Sequence, residues 1–194
     1  MSFAVVCLDE ANRQLIGEKR LPAKPGCVEL VDFEYRRLGV ANLFVAFEPL
    51  GAKRVVEITG NRRRVDFAAF AKDLVDIHYP HTEKIVCVMD NLNIHSIASL
   101  YEAFPPREAR RFAEKLEIYY TPKHASWLNM AEIEIGILSR QCLAENMTSM
   151  DEMRRKVSAW QLRRNEACSA LKWQFNTSDA KIKLNKLYPI LSLS

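Results

Sequence analysis

The sequence predicts an α/β fold, a mixed five-stranded sheet flanked by helices, and three observations lead there. Ile85 to Met89 is a continuous apolar run rich in β-branched residues and too short for a stable helix, which reads as a central strand buried on both faces. A similar run, Phe3 to Leu8, opens the chain as a second strand. Segments with apolar residues at helical spacing lie between and after these runs.

In chain order, Phe3 to Leu8 ends in two acids, Asp9 and Glu10, and Ala11 to Lys19 reads as a short strand carrying the chain back. Leu21 to Gly26, with Pro22 and Pro25, reads as a loop. Asn42 to Phe47 and Lys53 to Thr59 form a hairpin across Pro49-Leu50-Gly51. After the basic turn Asn61 to Arg64, the segment Val65 to Tyr79 places Phe67, Phe70, Leu74 and Ile77 on one helical face, with Pro80 closing it. The strand Ile85 to Met89 follows. A helical block from Ser96 is interrupted at Pro105-Pro106 and resumes through Lys115, and Leu116 to Tyr120 makes another short strand. Thr121 to Leu128 is a loop, Asn129 caps a helix running to about Cys142, Ser149 to Asn165 is a long charged helix with Met153, Val157 and Trp160 on one side, and Ala180 to Leu187 is a last helix.

Composition narrows the function classes. A length of 194 residues suits a single domain with a real core, and 48% hydrophobic with 27% charged residues is the balance of a soluble globular protein. No run approaches the roughly 20 apolar residues of a membrane span, and Phe3 to Leu8 is too short for a secretory signal. Five cysteines without C-x-x-C spacing argue against a zinc knuckle or a disulfide framework, so a reduced, cytoplasmic protein is expected, with Cys7 and Cys87 in the core. The net charge of +4 permits a nucleic-acid partner without demanding one.

The chemistry is expected where strands end. Asp90 follows its strand directly, at the carboxyl edge of the sheet where open α/β folds bind ligands, and it leads into Asn91, Asn93 and His95. Asp9 stands in a matching place, and Glu132 lies in the first turn after Asn129, its carboxylate expected to face the strand ends rather than solvent. Taken singly, a strand-end Asp is often a turn residue; taken together, three acids without His or Cys companions suit Mg²⁺ or Mn²⁺. Two such ions, about 3.5–4 Å apart, can assist an in-line displacement at phosphorus. Glu134 stands two residues beyond Glu132.

Three blocks then acquire a specific meaning. V-V-C-L-D-E (Val5 to Glu10), V-M-D-N-L-N-I-H (Val88 to His95) and Y-T-P-K-H-A-S-W-L-N-M-A-E (Tyr120 to Glu132) resemble the signature blocks of DDE transposases of the mariner superfamily, and most closely its bacterial insertion-sequence-630 branch. A-N-L-F at Ala41, L-Y-E-A-F-P-P at Leu100 and K-I-K-L at Lys181 extend the likeness over nearly the whole chain. The resemblance implies a ribonuclease-H-like fold, Mg²⁺-dependent cleavage at transposon ends and strand transfer into target DNA. It places the catalytic triad on Asp9, Asp90 and Glu132, and not on Glu134. It also implies a homodimer on DNA. Relatives carry a helix-turn-helix region ahead of this domain; none precedes it in these 194 residues, so end recognition is expected to fall to a separately encoded region, or the region has been removed or lost. An inactive DNA-binding relative, or another nuclease of the same fold, is the alternative.

The remaining polar groups carry two readings each. Asn91, Asn93, His95 and Asn129 are placed to orient the acids or metal-bound water, or simply to satisfy backbone groups; for His95 a bond to a loop carbonyl is favoured over contact with DNA phosphate. Lys123, His124 and Trp127 would flank the scissile strand through phosphate contact and base stacking, with Trp127 as readily a core plug. Arg62, Arg63 and Arg64, and the run Arg154, Arg155, Lys156 with Arg163 and Arg164, are DNA-contact candidates or solvated surface.

Overall fold

The computed structural model describes residues 2–21, 30–122, 125–171 and 173–183, with the side chains of 18–21 and 30–34 outside that description. Strands β1 (Phe3–Leu21), β2 (Leu30–Glu48), β3 (Lys53–Thr59), β4 (Lys84–Met89) and β5 (Leu116–Tyr120) form one mixed sheet in the order β3-β2-β1-β4-β5. β1 pairs antiparallel with β2 and parallel with β4; β2–β3 is antiparallel and β4–β5 parallel.

Two expectations about the strands are corrected. β1 does not stop at Leu8 and turn back through Ala11 to Lys19; it continues as one strand of 19 residues, and β2 is the returning partner. Beyond Asp9 the two form a ribbon without β4 alongside, and a ribbon open to water needs none of the apolar continuity that marks a buried strand. The loop expected at Leu21 to Gly26 lies, apart from Leu21 itself, outside the described residues. The central strand is β1, with β4 beside it. On β4 only Ile85, Cys87 and Met89 are buried, while Val86 and Val88 are partly covered, because the helices on that face lie over β1, β2 and β3 instead.

Helices cover both faces. On one side α1 (Arg64–Asp73), α2 (Ile97–Ala103) and α3 (Pro106–Lys115) bury Phe67, Phe70, Leu100 and Phe112 against Val6, Leu8, Phe44, Ile85, Cys87 and Met89. Pro106 sits in the first turn of α3, where its missing N–H costs nothing. On the other side α4 (Met130–Gln141) and α5 (Met150–Glu166) close Leu138, Met153, Val157 and Trp160 over Leu15, Leu43, Val45 and Ile58. Ser149 caps α5 by accepting from the N–H of Glu152, and the Trp160 indole donates to Gln141 Oε1 at 3.0 Å. The last described element, α6 (Thr177–Lys183), starts before the expected Ala180, and the expected continuation to Leu187 lies outside the described residues. No helix among the described residues is long and apolar enough to cross a membrane.

The helix after the basic turn departs from simple periodicity. At Leu74–His78 it widens into a π-turn, with Tyr79 N–H donating to Leu74 O at 2.9 Å. The i→i+5 bonding moves the apolar face by one position. Ile77, expected in the core, is 63% exposed, while Val75 and Tyr79 are buried. We therefore expect Ile77→Ser to change stability by no more than about 0.5 kcal/mol and Leu74→Ala to cost about 2–5 kcal/mol, both read by urea denaturation; comparable losses at the two positions would refute the π-turn placement.

Candidate active site

The site is set by where the parallel ladder ends. β1 and β4 pair from Phe3 with Lys84 to Cys7 with Val88, and two residues further along each strand stand Asp9 and Asp90. Side chains alternate faces, so Cys7 and Asp9 share the α4 side, whereas Glu10 projects to the α1 and α2 side. Thr59, pairing with Asn42 and through it level with Asn12, brings the end of β3 to the same edge, and β5 ends there at Tyr120.

Asn129 joins this edge to α4. Its side chain is buried; Nδ2 donates to Leu8 O at 2.7 Å, and Oδ1 accepts from the N–H of Ala131 at 3.2 Å. The helix start is thereby fastened to the residue preceding Asp9, and Glu132 follows in the first turn. Glu132 is exposed, contrary to the expectation that it would turn away from solvent, because Asn129 and not Glu132 fills the space beneath the helix end.

Electrostatics show that the three acids share one neighbourhood. Burial pushes the Asp9 carboxyl up to about 6, against a hydrogen bond from the Glu10 N–H to Oδ1 at 2.8 Å, and the charges of Glu10, Asp90 and Glu132 raise it further. Opposite Glu10 lies His95, buried against the Phe67 ring, with Nε2 on Glu10 Oε1 and Nδ1 2.8 Å from Asp90 Oδ1. Burial alone would lower the imidazole pKa, but the hydrogen bond and charge of Glu10, followed by the carbonyl and carboxylate of Asp90, hold it above its ordinary value. Among the described residues no three His, Cys, Asp or Glu side chains are close enough to hold an ion as they stand. Like charges without a cation repel, and Asp90 leans on His95. The donor set still fits a hard divalent cation: carboxylate oxygens only, one of them kept reluctant to ionise by burial first and by the neighbouring acids after it.

Comparison with protein families matches residues 4–154 to the family described as DDE superfamily endonuclease. The chain belongs to this family. It is a transposase-type nuclease domain with the ribonuclease-H-like α/β fold, and the match spans all three acids. Comparison with curated proteins gave no match.

Within this DDE domain the other candidate residues fall into three groups. Asn91 is exposed and donates to Thr121 O at 2.8 Å, fastening the loop after β4 to the end of β5, and Asn93 is exposed. His95 makes the contacts to the acids described above, so it is packed into the site rather than offered to DNA. Arg62 is exposed; Arg63 pairs with Asp66 at 3.1 Å in a capping box, and Arg64 with Glu102 at 3.3 Å, all at the edge that carries the acids. Lys123 and His124 lie outside the described residues. Trp127, in a 3-10 turn at Ser126–Leu128, is neither core plug nor bare platform: it is 37% exposed and meets Phe175 edge-on at 4.9 Å, with Lys183 Nζ 5.3 Å from its ring centre. The cations of α5 do not make one face, since Arg154 pairs with Asp151, Lys156 with Glu152, and Arg164 turns inward.

Glu134 and Glu132 have opposite environments. Glu134 is fully buried, its Oε1 receiving Arg54 Nε at 2.7 Å and Arg164 Nε at 2.9 Å. Arg54 also donates to the carbonyls of Ala52, Arg164 and Ser169, tying β3, α4 and α5 together. Sequence reasoning missed Arg54, whose place between Lys53 and Val55 on a strand carries no mark of burial, and it missed any role for Glu10. Glu134→Ala, which strands a buried guanidinium, should cost about 3–5 kcal/mol of stability, whereas Glu132→Ala should stay within about 0.5 kcal/mol; denaturation curves that reverse this order would contradict the assignment. In the absence of divalent ions the raised Asp9 pKa favours the folded state below about pH 4, and that contribution is lost as pH rises through about 6. Asp9→Asn is therefore expected to melt above wild type at pH 7 and to lose that advantage near pH 4, as measured by calorimetry.

Proposed function

We propose that this DDE domain cleaves DNA at the ends of a mobile element of the mariner superfamily, in its insertion-sequence-630 branch, and joins the freed 3′-hydroxyl to target DNA. Support for the reading comes from the strand ends and the Asn129 bond, which bring Asp9, Asp90 and Glu132 toward one sheet edge, where the charges of the second and third add to the burial that raises the pKa of the first. The three carboxylates would hold Mg²⁺ or Mn²⁺, as a pair of ions. Bound there, the ions would supply positive charge to the phosphate undergoing in-line displacement.

The chain's own residues do the rest. Asn129 keeps Glu132 in register with Asp9 by its bond to Leu8 O. Asn91 holds the β4 loop against the end of β5, and Asn93 stands exposed on that loop. Arg62, Arg63 and Arg64 lie at the same edge, where phosphates of duplex DNA would arrive, and Arg63 and Arg64 can exchange exposed ion pairs for phosphate at small cost. Lys123, His124 and Trp127 belong to the loop leading to Glu132 and would flank the same strand. Cleavage and joining are both displacements at a phosphodiester, so one set of acids serves both. Pairing of two DNA ends calls for a homodimer, and reading of the terminal repeats for a helix-turn-helix region on the same or another polypeptide.

Asp9→Ala, Asp90→Ala and Glu132→Ala should each lower Mn²⁺-dependent nicking of a labelled duplex by at least about a thousandfold, a loss of roughly 4 kcal/mol in transition-state stabilisation, with unchanged circular dichroism. Nicking retained by Asp90→Ala would contradict the proposal.

A further inference from the structure

We infer that Glu10, acting through His95, is a positioning residue that fixes which oxygen of Asp90 is presented to the metal site. The inference rests on the reading of Asp90 as a metal ligand. The Glu10 side chain is 3% exposed and that of His95 is fully buried, an unusual place for an acid that only decorates a ribbon. They meet through Nε2 of the ring, and the other ring nitrogen, Nδ1, reaches Asp90 Oδ1 at 2.8 Å and Asp90 O at 3.2 Å.

The imidazole is held from several sides. Phe67 packs against its face at 5.2 Å between ring centres, the His95 N–H donates to Leu92 O at 2.9 Å, and the Tyr120 hydroxyl donates to His95 O. Asp90 Oδ1 also accepts from the Leu92 N–H at 3.1 Å. Among the described residues the hydrogen bond from Leu92 N–H and the ion-pair contact with His95 Nδ1, whose own hydrogen bond goes to Asp90 O, both fall on Oδ1, which turns Oδ2 toward a ligand. Glu10 and Asp9 are neighbours on β1 but face opposite sides of the sheet, so one strand supplies a ligand to one face and a brace to the other. Glu10 reaches His95 across the gap between β1 and the loop after β4.

Reach and charge separate in the test. Binding of Mn²⁺ to the DDE domain without DNA is measured by titration calorimetry for wild type, Glu10→Asp, Glu10→Gln and Asp90→Ala. Glu10→Asp keeps the charge and loses the reach; Glu10→Gln keeps the reach and, through an amide that donates or accepts, keeps the bond to His95. Positioning predicts Mn²⁺ affinity about tenfold weaker in Glu10→Asp and near wild type in Glu10→Gln. The opposite order, or wild-type affinity in both with loss confined to Asp90→Ala, overturns the role of Glu10 and leaves Asp90 as ligand intact. Wild-type affinity in Asp90→Ala overturns the ligand reading, and this inference with it. In the unmutated domain the His95 ring N–H protons should resist exchange with water by NMR whatever the folding of the variants, and free exchange overturns the inference.

Discussion

The parallel ladder between β1 and β4 closes at Cys7 and Val88, while β1 itself runs on with β2 to Leu21. This difference in strand length decides what the sheet edge can present. Two residues past the last β1–β4 pair, Asp9 and Asp90 stand where no β1–β4 pairing continues between them. The N-terminus of α4 is drawn to the same point by the bond from Asn129 to Leu8 O. A carboxylate on each of three elements is then gathered by backbone geometry, before any attraction among the side chains is considered.

Attraction is in fact what the acids lack. Burial raises the pKa of Asp9, and the charges of Glu10, Asp90 and Glu132 add to it. Two devices limit it. Glu132 stays exposed, where water screens its charge, and His95 is wedged between Glu10 and Asp90 as a shared partner. Under the proposed function, divalent cations would balance this charge. By contrast, Glu134 is balanced internally by Arg54 and Arg164, which makes it a structural acid two residues from the proposed ligand Glu132.

Much of this was legible in the residues. Apolar runs marked β4 and the start of β1; the Asn129 cap, the proline at the head of α3 and the Met153, Val157 and Trp160 stripe marked their helices, and each stands where its local chemistry placed it. What failed to show did so for physical reasons. Past Asp9 the described side chains of β1 are mostly polar or partly exposed, with Leu15 alone among them buried, so this half carries no apolar run. The π-turn at Leu74 is a tertiary adjustment that turned Ile77 outward. Arg54 looks like any strand cation until α4 and α5 close over it. Glu10 looked redundant beside Asp9 because alternation along a strand sends adjacent residues to opposite faces, and only the position of His95 shows what the second face holds. The three acids were proposed from blocks of sequence rather than from single residues.

The central claim is that Asp9, Asp90 and Glu132 close around shared divalent ions. Crystals of the domain soaked in Mn²⁺ and measured at the manganese absorption edge test it most directly. The account predicts an anomalous peak bonded at roughly 2 Å to oxygens of Asp9 and Asp90, with Glu132 turned toward the same site. Manganese bound elsewhere while these three carboxylates stay apart would contradict it.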